Sequence, residues 1–159
     1  MANFTVNGLH EMGASIEHLA GIPDGDLLDT MVLPAAAYLV TTMREKAGSM
    51  MNVITGSLMN SVKITGKGSI GVGVFADVGP DQGKHPRGAR GLRHRKDRGG
   101  GGGHYAGTNA EIAFIHEYGT TRTPAVHWME AAVTDAEDAM SGIMEAAFDA
   151  LVAKYFGGS

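Results

Sequence analysis

The chain contains no cysteine. That single absence excludes disulfides, thiolate metal sites and cysteine nucleophiles together, and it suits assembly in a reducing cytoplasm. Aromatic residues are also scarce, at 6% with one tryptophan, so the 43% hydrophobic content must build its core from Ala, Val, Leu, Ile and ten Met. Ala and Met fill space adaptably but specify a shape weakly. Long apolar runs are missing too. The longest, residues 31–40, contains Pro34 and falls well short of the roughly 20 residues that span a bilayer. Residues 1–8 lack a basic stretch followed by an apolar one, so no secretory signal is read there. The expectation is a soluble protein made in and retained by the cytoplasm of the producing cell, with no membrane partner. A length of 159 residues accommodates one domain, 1–159. A domain of this size buries a modest share of its surface, so contact with partner subunits would add useful stability.

The net charge of −4 is unevenly placed. Residues 84–104 carry Lys84, Arg87, Arg90, Arg93, Arg95, Lys96 and Arg98 against Asp97 alone, a local balance of +6 that leaves −10 on the rest. An acidic body with one basic loop is the main electrostatic fact of the sequence.

Hydrophobic periodicity predicts the elements. Leu9, Met12, Ile16 and Leu19 space a helix over residues 8–20. Pro23-Asp24-Gly25 breaks it, with Asp24 read as the cap of the next helix. That helix spans residues 26–47, carrying Leu27, Leu28, Met31, Ala35, Tyr38, Leu39 and Met43 on one face. Pro34 inside it should kink or restart the helix, and Gly48 is placed to end it in a left-handed cap. Val62 and Ile64 then alternate with polar residues, Gly66-Lys67-Gly68-Ser69 reads as a turn, and Ile70, Val72, Val74, Ala76 and Val78 alternate again. The pattern predicts a β-hairpin in which Ser69, Gly71 and Gly73 form a nearly bare face. Residues 82–108 have no apolar period and include five consecutive glycines, Gly99 to Gly103; a long, mobile, Gly/Arg/His-rich loop is expected. A short helix from Asn109 through Ile112, Ile115 and His116 ends at Tyr118-Gly119. Thr123 is read as the cap, and Pro124 as the first residue, of a last helix. Met129, Val133, Ala136, Met140, Ile143, Met144, Ala147, Leu151 and Tyr155 form its apolar stripe up to Gly157, opposite Glu130, Asp135, Glu137, Asp138, Glu145 and Asp149. The order predicts an α+β fold: a small antiparallel, hairpin-based sheet packed against N-terminal helices and a long C-terminal helix, with a long flexible basic loop.

Chemical motifs are weak by comparison. His116-Glu117 lacks the second histidine of a zinc-protease helix, because position 120 is threonine and Gly119 intervenes. Gly83-Lys84 lacks the lead-in and the following Ser or Thr of a phosphate loop, and no helix follows the hairpin glycines as a dinucleotide site requires. His85, His94 and His104 have no regular spacing or carboxylate partner, so they read as solvated side chains and not as metal ligands. No catalytic residue, cofactor or metal is assigned from the sequence.

Two stretches do carry a resemblance. The first is Thr55-Gly56-Ser57-Leu58-Met59-Asn60-Ser61-Val62, between a long helix and the hairpin. The second is Ala113-Phe114-Ile115-His116-Glu117-Tyr118-Gly119-Thr120, followed by Pro124-Ala125-Val126-His127-Trp128-Met129. In order and spacing they resemble the head–tail joining, or tail-completion, neck proteins of long-tailed bacteriophages. That family shows a Thr-Gly-x-Leu-x-x-Ser-Ile turn into a sheet, then a Glu-Phe-Gly-Thr segment and a proline–aromatic lead-in to a long helix. The matched positions are Thr55, Gly56, Leu58, Ser61, Glu117, Tyr118, Gly119, Thr120, Pro124 and Trp128. The chain departs from the pattern in its longer, more basic loop and in the His127-Trp128 pair. Physically, Gly56 and Gly119 are read as backbone turns forbidden to other residues, and Tyr118 and Trp128 as a packed pair that fixes the angle between the last two helices.

The resemblance implies a non-enzymatic structural subunit at the head–tail junction of a virion. It implies a homo-oligomeric ring of six or twelve copies around the passing double-stranded DNA, with a connector or head-completion protein on one side and tail terminator or tube proteins on the other. The hairpin's bare face and edges are the candidate subunit contacts. The basic loop has two readings: a solvated insertion, or an arm whose Arg87, Arg90, Arg93, Arg95 and Arg98 meet DNA phosphates or an acidic patch on the adjacent ring. A free nucleic-acid-binding accessory protein acting through residues 84–98 is the alternative function.

Overall fold

The computed structural model describes residues 21–51, 56–71, 73–83 and 108–157. The helix expected over residues 8–20, Thr55, Val72 and nearly all of the basic loop lie outside the described residues.

The chain enters through helix α1 (Asp24–Leu27), passes through a π-helical turn (Leu28–Val32) and continues as α2 (Leu33–Met50). The N-cap of α1 is Pro23, in extended conformation, and not Asp24, which sits in the first turn where its charge still complements the helix dipole. The π turn explains how one long helical stretch tolerates Pro34. An α-helical turn would drive the Pro34 ring against the carbonyl of Thr30 and leave that carbonyl without its N–H donor. Widening the turn ahead of Leu33 removes this conflict and restarts the α-helix with proline in its first turn. Gly48 does not end α2. It lies inside the helix where Met59 crosses, 3.4 Å from Sδ at the position a Cβ would take, and Met51 is the C-cap.

After α3 (Ser57–Ser61), strands β1 (Val62–Ile70) and β2 (Gly73–Pro80) pair antiparallel. The turn therefore falls at residues 71–72 and not at Gly66–Ser69, which belong to β1. A two-residue connection favours positive φ, and Gly71 supplies 62°. One residue, Thr65, is bulged out between the Ile64–Val78 and Gly66–Asp77 pairs. Because strand side chains alternate, that extra residue changes the face on which the following ones lie. Val62 and Ile64 share a face with Val78, and Val62 is buried in the core; Gly66 and Gly68 share the other face with Phe75 and Asp77. The expected bare face of Ser69, Gly71 and Gly73 does not form. Ser69 is opposite Val74, and the glycine-lined strip is covered by the Phe75 ring, 3.3 Å from a Cβ position at Gly68.

Helix α4 (Asn109–Tyr118) begins in a capping box: Thr108 Oγ1 accepts from Glu111 N, and Glu111 Oε2 accepts from Thr108 N. Helix α5 (Trp128–Phe156) ends at Gly157, as its periodicity predicts. It runs along α2, and α2 in turn packs on both strands, so α2 is the middle layer between hairpin and α5. Ala35, Ala36 and Ala47 on α2 and Ala132 and Ala136 on α5 are buried, and small side chains at these positions let the two helices approach closely. The buried stripe of α5 is Trp128, Ala132, Ala136 and Leu151, whereas Val133 and Tyr155 of the predicted stripe are exposed. Arg44 donates through Nε and Nη2 to the Val62 carbonyl at 3.1 and 2.8 Å, tying α2 to the start of the sheet. Lys46 pairs with Asp135 across the helices, and Asp26 accepts from both Lys154 Nζ and Tyr155 Oη at 2.5 Å, joining α1 to the end of α5.

Candidate functional site

The two motif stretches meet inside the molecule. Met43, Ala47, Leu58, Val62, Ala113, Trp128 and Ala132 form one buried cluster, which unites Leu58 of the first stretch with Trp128 of the second. In the first stretch, Gly56 caps α3 with φ 66°, and Ser61 is buried with its hydroxyl donating to the Leu58 carbonyl at 2.6 Å. This closes the short helix on itself and delivers Val62, fully buried, into the sheet. The sequence-predicted roles of Gly56, Leu58 and Ser61 are thus structural ones at the helix-to-strand turn.

The second stretch is built around a buried carboxylate. Helix α5 does not begin at Pro124. Residues 124–127 are non-helical, Val126 N donates to the His116 carbonyl at 2.7 Å, and His127 precedes the helix in left-handed conformation. Neither Thr123 nor His127 caps the helix through its side chain. Glu117, from the last turn of α4, does so from across the turn: Oε2 accepts Met129 N at 2.7 Å and Oε1 accepts Glu130 N at 3.1 Å. Two N–H groups that no helix can satisfy internally are thereby paired, and the negative charge sits at the positive end of the helix dipole. Gly119 makes the path possible. With φ 73°, a side chain there would put its Cβ 2.7 Å from Ala125 N and 2.8 Å from the Thr123 carbonyl oxygen. Thr120 Oγ1 accepts from Arg122 N and Thr123 N and closes the tight loop, while Pro124 is exposed.

Tyr118 and Trp128 do not pack together. Trp128 is fully buried, with Nε1 3.5 Å from the Ala113 carbonyl oxygen, whereas Tyr118 is 62% exposed and meets Phe114 in a tilted contact, ring centroids 4.7 Å apart. Ala113 and Glu117 line the inner side of α4, and Phe114 and Tyr118, each one residue further along, are rotated to its outer side.

Among the described residues, Glu117, His127 and Glu130 bring metal-ligating atoms within 4.8 Å of one another. Both Glu117 oxygens already hold helix N–H groups, and the positive helix end opposes a cation, so the chemistry of this trio is that of a helix cap.

The basic residues Lys84, Arg87, Arg90, Arg93, Arg95, Lys96 and Arg98 lie outside the described residues, but the stem that carries them is described. Asn109 N donates to the Gly83 carbonyl at 2.8 Å, so the two ends of segment 84–107 are held side by side. Asp81 organises this stem. Its Oδ1 accepts from Gly83 N and Asn109 Nδ2, both at 3.0 Å, and its Oδ2 pairs with Lys63 at 3.0 Å. Its backbone joins too: Asp81 N donates to the Ser61 carbonyl and Ala110 N to the Asp81 carbonyl. The Asn109 amide first, then Lys63 and the Gly83 N–H, hold the Asp81 carboxyl down to about 2. A depressed carboxyl contributes stability that is complete above its unfolded value of 3.8 and lost as pH falls through about 2. Denaturation midpoints followed from pH 5 to pH 2 are therefore expected to fall, with Asp81→Asn flattening part of that slope. An unchanged slope in the variant would remove Asp81 from the stem's energetics.

Sequence reading missed the Glu117 cap, the Asp81–Asn109 stem and the exposed Phe114–Tyr118 pair. The spacing of Glu111, Phe114 and Tyr118 at i, i+3 and i+7 marks them as one helix face, but not which way that face points. Comparison with protein-family models, with curated proteins and with solved structures returns no match to this chain.

Proposed function

We propose that the chain is a structural subunit of the head–tail connector of a long-tailed bacteriophage. On this reading it forms a homo-oligomeric ring, of six or twelve copies, that joins the connector to the tail and lines the DNA passage of the virion, after assembly in the host cytoplasm. The resemblance of the two motif stretches to neck proteins supplies the family. The observation that carries the assembly role is the sheet: among the described residues only β1 and β2 pair, and no third strand covers either outer edge. A lone two-stranded ribbon is marginal by itself, and open edges are completed in other proteins by a neighbouring chain. Ile70 at the hairpin tip, 74% exposed, adds apolar surface beside those edges. The working parts are then shapes and edges, with adjacent connector and tail proteins as further partners.

Light scattering and negative-stain imaging of the purified protein test this directly. The expected result is a concentration-dependent closed ring that attaches to connector or tail particles. A protein that stays monomeric at every concentration and joins neither particle overturns the proposal.

A second reading, a nucleic-acid-binding accessory protein, draws on the basic residues Lys84 to Arg98, which follow the Asp81–Gly83 stem directly in the sequence. Phosphate contacts release counterions, so DNA affinity measured across salt separates the two. Tight binding that survives moderate salt favours the accessory role; weak binding erased by salt favours the neck.

A further inference from the structure

Two surface features of the same chain complement each other. The first is a projection: Phe114 and Tyr118, 60% and 62% exposed, meet on the outer side of α4 next to exposed Glu111. The second is a cleft of about 440 Å³ lined by Leu33, Ile64, Thr65, Gly66 and Lys67, where the bulge in β1 faces the start of α2. Leu33 and Ile64 give it an apolar lining. Among the described residues neither Lys67 on its rim nor Glu111 beside the rings belongs to an ion pair.

We infer that the Phe114–Tyr118 pair of one copy docks into the Leu33–Ile64–Gly66 cleft of a second copy, with Glu111 meeting Lys67 across the contact. The inference rests on the ring reading and names its two faces. Exposed aromatic pairs are costly to leave in water and are the usual anchors of protein interfaces, where an apolar cleft removes them from solvent. Charge complementarity sets the orientation: an acid lies beside the rings, a base beside the cleft. Because projection and cleft are different surfaces, the contact is head-to-tail, the kind that closes identical subunits into a ring.

Two variants test it. Phe114→Ser/Tyr118→Ser removes the projection, and Thr65→Trp fills the cleft at an exposed position. Each alone is expected to weaken self-association at least tenfold by native mass spectrometry and light scattering. Mixed together they should form one-to-one pairs and nothing larger, since one copy keeps a free cleft and the other a free projection. Lys67→Glu should weaken association, and raising salt should weaken the wild-type association but not that of the variant.

If the wild-type protein assembles and the variants assemble equally well, this contact is wrong and the ring reading stands. A wild-type chain that never associates defeats the ring reading itself. A lowered melting temperature in the Phe114/Tyr118 variant with unchanged association would mean that the chain's own residues cover the rings, which also overturns the inference.

Discussion

Trp128→Ala is expected to lower the free energy of unfolding by about 4 kcal/mol, the largest loss available from one side chain here. Trp128 is the only tryptophan, is fully buried and stands where α5 begins. Its neighbours in the cluster include Ala47, Ala113 and Ala132, which are too short to move into the space it would leave. Whatever part of the cavity Met43 and Leu58 of the same cluster do not close adds to the lost transfer energy. Chemical denaturation followed by far-ultraviolet circular dichroism checks this, and the melting temperature should fall by roughly 8–16 °C for a chain of this length. Trp128→Phe, which keeps most of the volume, should cost less than half as much. A loss under about 1 kcal/mol for the alanine variant would contradict the packing described.

Glu117→Ala comes second, at about 3 kcal/mol. Hydrogen bonds to a charged group contribute roughly 1.5–3 kcal/mol each, and this carboxylate accepts two. Removing it leaves the Met129 and Glu130 N–H groups without an acceptor beside a buried tryptophan. Glu117→Gln retains one good acceptor and should lie between wild type and alanine. Glu130→Ala, an exposed acid at the same helix end, is the control and should cost no more than about 1 kcal/mol. If Glu117→Ala and Glu130→Ala behave alike, the cap is not what fixes α5 against α4.

The layout of the fold is largely legible in the sequence because it depends on local periodicity. The helical spacing that ends at Gly157, the start of α4 at Asn109 and its glycine stop, and the alternation around Val62, Ile64 and Val78 all predict the elements found. What local pattern could not convey is set by partners distant along the chain. The turn at residues 71–72 follows from strand pairing, and the glycines at 66 and 68 mimic a turn until Phe75 and Asp77 are placed opposite them. Pro124 looks like a first helical residue because the true cap, Glu117, belongs to another helix. Gly48 looks like a stop because nothing in its own neighbourhood reveals Met59 crossing above it.

The candidate site divides in the same way. Gly56 and Gly119 are readable as obligatory glycines, and both have positive φ. The separation of Tyr118 from Trp128 is not, because residues 117 and 118 differ by about 100° around the helix, enough to part a buried cap from an exposed ring.

The 2.8 Å link between Gly83 and Asn109 forms a socket at which the chain leaves and rejoins the described body. Loop-closure entropy grows slowly with length, so each doubling of a flexible connection between two points held this close costs about 0.6 kcal/mol. A longer or shorter connection can therefore close on the same two anchors, Gly83 and Asn109. An engineer can use the same socket to splice in a reporter peptide or an affinity tag.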